Sequence, residues 1–169
     1  RIAIIGNAGG GKSTLARKLA ERRDLPLVEI DALVWQPGWK LSSDEVFDAE
    51  HGRILAEEHW LIDGLGNNLA SIATRLERAT EIILIDMPLW MDLWLLAERQ
   101  IAWAKGELEN PPGGIHEMVT TEDMFSASWE VERDWMPEFR RLVDVQESRG
   151  TPVRRIASVE ALNAFSASV

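Results

Sequence analysis

The first fourteen residues, RIAIIGNAGGGKST, constrain this chain more than any other stretch. A short run rich in β-branched residues, Ile2-Ala3-Ile4-Ile5, leads into Gly6, and after four further residues comes Gly11-Lys12-Ser13. The pattern G-x-x-x-x-G-K-[ST], set between a strand and a helix, is a phosphate-binding loop. Gly6, Gly9, Gly10 and Gly11 permit backbone conformations that a Cβ forbids, so successive N–H groups turn inward on an anion. The positive end of the following helix adds to that field. Nucleotide phosphate is therefore expected on Gly6, Asn7, Ala8, Gly9, Gly10, Gly11, Lys12, Ser13 and Thr14. Lys12 is expected to reach the β- and γ-phosphates, and the Ser13 hydroxyl to hold Mg²⁺.

A length of 169 residues suits one domain with a proper core. The chain has no cysteine, which excludes disulfides and thiolate metal sites, and only three histidines. Its formal charge of −10, without a basic run, argues against a nucleic-acid partner. No apolar run approaches the roughly 18 residues of a membrane span. A cytoplasmic protein, monomeric or homodimeric, is expected.

Along the chain, Leu15, Ala16, Leu19 and Ala20 give one apolar face to a helix over Lys12 to Arg23. Leu27 to Ile30 reads as a strand ending at Asp31, and Val34 to Leu41, containing Pro37-Gly38, as a loop. Ser42-x-x-Glu45 reads as a capping box opening a helix to about Glu58. Trp60 to Ile62 is a strand ending at Asp63-Gly64, followed by a short helix through Arg75 and Arg78. Glu81 to Ile85 is an apolar strand ending at Asp86. From Leu89 to Lys105 the spacing of Trp90, Leu93, Trp94, Ala97 and Ile101 predicts an amphipathic helix with those residues inward. Residues 105–128 carry Pro111-Pro112-Gly113-Gly114 and no clear period, the pattern of a lid or binding loop. A helix over Trp129 to Glu147, kinked before Pro137, a strand Val153 to Ala157 and a helix capped by Ser158 complete the chain.

Strands alternating with helices imply a three-layer αβα sandwich around a five-stranded parallel sheet. Ligands in such sheets gather at the carboxyl ends of the strands. The glycine loop, Asp31, Asp63-Gly64 and Asp86 all fall there.

The segments Gly6 to Ala20, Ile30 to Trp39 (IDALVWQPGW), Trp60 to Gly64 (WLIDG) and Ile85 to Pro88 (IDMP) carry a family resemblance. The chain resembles the adenylate-kinase-like P-loop kinases, and within them the small proteins called DNA topology modulation proteins. The resemblance implies a nucleoside-monophosphate-kinase-like fold and one domain over 1–169 with a lid at 105–128. It also implies ATP and Mg²⁺ binding, and phosphoryl transfer to a small acceptor not yet identified. Asp63 or Asp86 is then expected to hold the metal through water, the alternative for each being a helix cap. Asp31 is expected to bind or activate the acceptor hydroxyl, or else to serve as a turn residue.

Phosphoryl transfer also needs positive charge around the migrating group. Arg75 is expected to grip the acceptor and Arg99 to act from the approach to the lid, each with a solvated helix face as the alternative. Between Lys105 and Ser128 there are five acids and only Lys105 and His116 as basic groups, a departure from arginine-bearing lids. Trp35 and Trp39, past a strand end, either stack on a base or wall an acceptor pocket; Trp90 and Trp94 are expected to be core packing. The reading from another class is a nucleotide-binding regulatory module or weak NTPase without a metabolite acceptor.

Overall fold

The computed structural model describes residues 1–169. Strands β1 (Ile2–Gly6), β2 (Leu27–Glu29), β3 (Trp35–Gln36), β4 (Lys40–Leu41), β5 (Leu61–Asp63), β6 (Glu81–Ile85) and β7 (Val153–Ile156) alternate with eight α-helices. These are α1 (Lys12–Arg23), α2 (Asp31–Val34), α3 (Asp44–Ala56), α4 (Leu69–Arg78), α5 (Leu89–Ala104), α6 (Thr121–Glu130), α7 (Met136–Ser148) and α8 (Val159–Ser168). Five of the strands form the expected parallel sheet, in the order β2-β5-β1-β6-β7. The two-residue period of a strand sends its side chains to opposite faces. Ala3, Ile5, Ile62, Ile82 and Leu84 pack with Phe47, Leu76 and Phe139 on one side. Ile2, Ile4, Leu61, Ile83 and Ile85 pack with Leu15 and Leu19 on the other. With both faces covered, the central strand β1 is wholly buried, which is why it reads as a continuous apolar run.

Four local expectations are corrected. The cap of α3 is Ser43, whose hydroxyl accepts from the Val46 amide, so the helix starts one residue later than a Ser42 box would set it; Ser42 itself is buried. Residues 35–41 form an antiparallel hairpin of β3 and β4, where a loop was expected. Its turn, Pro37-Gly38-Trp39, holds Trp39 in the left-handed region at φ 55°.

Helix α5 is turned the other way from its expected phase. Asp92, Leu96, Gln100 and Trp103 are buried, while Trp90 and Trp94 are 66 % and 62 % exposed. Apolar residues surround this helix, so periodicity alone does not select its inner face. Contact with the glycine loop does: a Cβ on Gly9 would lie 2.5 Å from the Asp92 carbonyl oxygen.

The segment 105–128 is also more ordered than its sequence suggests. It holds a 3₁₀ turn, Pro112–Gly114, and the start of α6, where the Thr120 hydroxyl accepts from the Asp123 amide. A π-helical turn, Val131–Trp135, joins α6 to α7. Pro137 lacks the N–H that would continue a regular helix, and the register changes in the turn before it.

Candidate active site

The glycine loop follows β1 at the centre of the sheet. Gly6, at φ 148°, lies so close to β6 that a Cβ would fall 2.2 Å from the Ile85 carbonyl oxygen. The Lys12 ammonium folds back over the loop and donates to the Asn7 carbonyl at 2.6 Å. The Asn7 side chain is buried and ties the loop to α6: Oδ1 accepts from the Ala8 amide at 2.7 Å, and Nδ2 donates to the Ser128 carbonyl at 2.9 Å.

The loop opens into a cavity of about 880 Å³. Gly9, Gly11, Lys12, Ser13 and Thr14 line one end, and Asp31, Asp63 and Arg99 lie around it. Asp63 is 3 % exposed, and its Oδ1 has no hydrogen-bond partner. Burial pushes its carboxyl up to about 6, opposed by the Lys12 charge and the Ser13 hydroxyl beside it. A buried, unpaired carboxylate oxygen next to the Ser13 hydroxyl fits an octahedral Mg²⁺ site completed by water and phosphate oxygens. No three carboxylates or imidazoles converge to hold a metal without those oxygens.

Asp31 starts α2 beside the Asp63-Gly64 turn, its Oδ1 3.4 Å from where a Gly64 Cβ would be. Burial also raises its carboxyl, countered chiefly by Lys12 and then by Arg99. Arg99 is a cavity residue whose Nε is unpaired; Nη2 touches only the Met124 sulfur at 3.4 Å.

The structure does not bring Asp86 and Arg75 into this cavity. Arg140 binds Asp86 through both Nε and Nη2, at 3.0 and 2.7 Å, and also donates to Glu132 at 2.9 Å. The Arg75 guanidinium is fully buried behind the Asp63-Gly64 turn. It donates to the carbonyls of Gly64 at 2.6 Å and Leu65 at 3.0 Å, and to Nε2 of His51 at 3.3 Å. Burial first, then the Arg75 charge, lowers His51 to about 4, so the imidazole is neutral and can accept.

Sequence reasoning gave no role to His51 and missed Arg17, Asp92 and Ser128. Arg17 lines the cavity, with its guanidinium 2.6 Å from the Glu29 carboxylate. Its place one helical turn after Ser13 was the available signal. Asp92 sits behind the loop, 3.2 Å from where a Gly10 Cβ would be.

Parallel sheet, central glycine loop and carboxylates past the strand ends together define the P-loop kinase fold of the nucleoside-monophosphate-kinase-like type. Solved structures of this fold include two small-molecule kinases. A gluconokinase from Sinorhizobium meliloti 1021 aligns with TM-score 0.55 and 17 % identity, over 99 % of this chain and 91 % of that one. A shikimate kinase from Acinetobacter baumannii, in complex with shikimate, aligns with TM-score 0.57 and 11 % identity, over 99 % and 88 %. No protein-family model matches the sequence, and no curated protein does.

Proposed function

We propose that this chain is an ATP-dependent phosphotransferase, acting in the cytoplasm, that moves the γ-phosphate to a small hydroxyl compound with Mg²⁺ assistance. The supporting observation is that the glycine loop, the unpaired Asp63 Oδ1 and Asp31 all open into one cavity. The loop amides bind the phosphate chain, and Lys12 leaves the Asn7 carbonyl to neutralise charge developing on the β- and γ-phosphates. Ser13 and Asp63 would hold Mg²⁺, which supplies charge neutralisation across the phosphates. Asp31 orients the acceptor hydroxyl and takes its proton, a role favoured by a raised pKa. Arg99, whose charge and that of Asp31 favour one another, is the guanidinium offered to the transferring group. The turn at Pro112–Gly114 lies on α2 and limits water, the competing acceptor.

Arg75 and Asp86 take supporting parts in this reading: Arg75 fixes the turn that carries Asp63, and Asp86 anchors α7 through Arg140. The two solved kinases lend fold-level support only. The narrower likeness to DNA topology modulation proteins rests on the quoted sequence segments, and with a charge of −10 no DNA partner is taken from it. The test is incubation with ATP, Mg²⁺ and a panel of acceptors, with Asp31→Asn and Lys12→Ala in parallel. Phosphorylated product that both variants abolish supports the reading. Inorganic phosphate as sole product supports the weak-NTPase alternative, which the acid-rich lid favours.

A further inference from the structure

The acceptor end of the cavity has a charge pattern that phosphoryl transfer alone does not require. Six carboxylates line the cavity, Glu29, Asp31, Asp63, Glu107, Glu109 and Asp123, against three cations, Lys12, Arg17 and Arg99. The cations are already answered. Lys12 belongs to the phosphates, Arg17 lies 2.6 Å from Glu29, and Arg99 and Asp31 face one another closely enough to stabilise each other's charged forms. Asp63 faces the metal side with Ser13. Asp123 accepts from the Thr120 hydroxyl at 2.6 Å. Glu107 and Glu109 remain without a partner, on segment 105–128, where no basic residue reaches the cavity.

Two indoles complete this end. Trp35 and Trp39 meet edge to face with ring centroids 5.6 Å apart. Trp39 is fixed in place: its Nε1 donates to the Glu117 carbonyl at 2.9 Å, and its ring packs against Trp103 at 6.2 Å. The lid seats on the same wall, since a Cβ on Gly113 would lie 3.2 Å from the Asp31 carbonyl oxygen and 3.6 Å from the Trp35 Cβ. An anionic acceptor here would meet uncompensated carboxylates. An indole face attracts a cation, and carboxylates of one sign lining a cavity raise the local concentration of positive ligands.

We propose that the acceptor is a hydroxyl compound bearing an ammonium group, of the amino-alcohol or amino-sugar class. Its cation is held by Trp35, Trp39, Glu107 and Glu109, with its hydroxyl at Asp31. The inference rests on the phosphotransferase reading. In the step, the hydroxyl oxygen forms a bond to the γ-phosphorus, and the bond from that phosphorus to the β–γ bridging oxygen breaks. The electron pair stays on that oxygen in ADP, and the hydroxyl proton passes to Asp31. The protonated nitrogen has no lone pair and does not compete as nucleophile.

The experiment uses the full chain with ATP and Mg²⁺ and three series of acceptors: amino alcohols, amino sugars and aminoglycosides; their neutral polyol analogues; and sugar acids. Phosphorylated products are identified by mass spectrometry, with kcat and KM for each. Amines are expected to be preferred at least tenfold in kcat/KM. The double variant Glu107→Gln, Glu109→Gln is expected to raise the amine KM about tenfold. Preference for neutral or acidic acceptors overturns this inference and leaves the phosphotransferase reading standing. Release of inorganic phosphate alone, or no reaction of ATP, overturns both.

Discussion

Asn7 and Ser128 hold each other across 121 positions of chain. The Asn7 Nδ2 donates to the Ser128 carbonyl at 2.9 Å, and the Ser128 hydroxyl donates to the Asn7 Oδ1 at 3.2 Å. That same Oδ1 accepts from the Ala8 amide at 2.7 Å, so one buried amide fixes both the loop and its distance from α6. Because α6 begins within segment 105–128, that segment and the phosphate loop share a support. Asn7→Ala leaves the buried Ser128 hydroxyl without its acceptor and takes the Ala8 amide's side-chain partner away, and is expected to cost about 1–3 kcal/mol in denaturant unfolding. Coupling with Ser128→Ala should be about 0.5–1 kcal/mol, carried by the hydroxyl bond. Strict additivity of the two would mean that no lock exists.

Lys12 makes one hydrogen bond, to the Asn7 carbonyl, and is itself only half-buried. Its removal therefore leaves the fold nearly as stable, while the charge that meets the phosphates is gone. Lys12→Ala is expected to shift the melting temperature by no more than about 3 °C and to reduce phosphate release or transfer on the order of a hundredfold or more. Activity within a few-fold of the parent refutes the role given to this residue.

The frame was legible because its signals are local. The glycine spacing, the apolar run of β6 and the residues that punctuate strand ends each act within a few positions, and the parallel sheet follows from their alternation. The place of Asp63 at the cavity was legible too, since a carboxylate at the carboxyl end of a buried strand has few places to go. Arg75 misleads because a guanidinium reads the same whether it faces an acceptor or props up a turn. Only the positions of Gly64 and Leu65, ten or eleven residues earlier, decide between them. Asp86 misleads for the same reason, its partner Arg140 lying 54 positions away. The face of α5 was illegible because apolar side chains surround that helix; the close approach of Gly9 and Gly10 chooses it.

Arg75 provides the sharpest check on that distinction. Three buried acceptors depend on it, and no carboxylate is hydrogen-bonded to it. Arg75→Met is expected to destabilise the fold by about 2–4 kcal/mol, through two unpaired carbonyls and a displaced Asp63-Gly64 turn. Arg75→Lys should recover only part of this, since an ammonium cannot span the fork. A direct acceptor ligand would behave differently, with a higher KM at parental melting temperature. Calorimetric melting and acceptor KM measured on both variants separate the two.

Asp92 predicts a pH dependence. Burial pushes its carboxyl up to about 7, Lys12 opposes the shift, and Glu132 and Asp86 add to it. In the unfolded chain the group ionises near its ordinary value of 3.8. Below that value it is protonated in both states, and its stabilising contribution is fully present. As pH rises from about 4 to 7 the unfolded chain sheds this proton while the folded protein keeps it, so the contribution is lost; above 7 the loss is complete. Asp92→Asn is expected to match the parent near pH 4 and to exceed it at pH 8 by about 1–4 kcal/mol in denaturant unfolding. The carboxylate lies directly behind Gly10, so its charge also opposes phosphate in the loop. ADP should then bind the variant several-fold more tightly at pH 8, with the advantage shrinking towards pH 5.5. An equal advantage at both pH values would show that Asp92 acts by packing and not by charge.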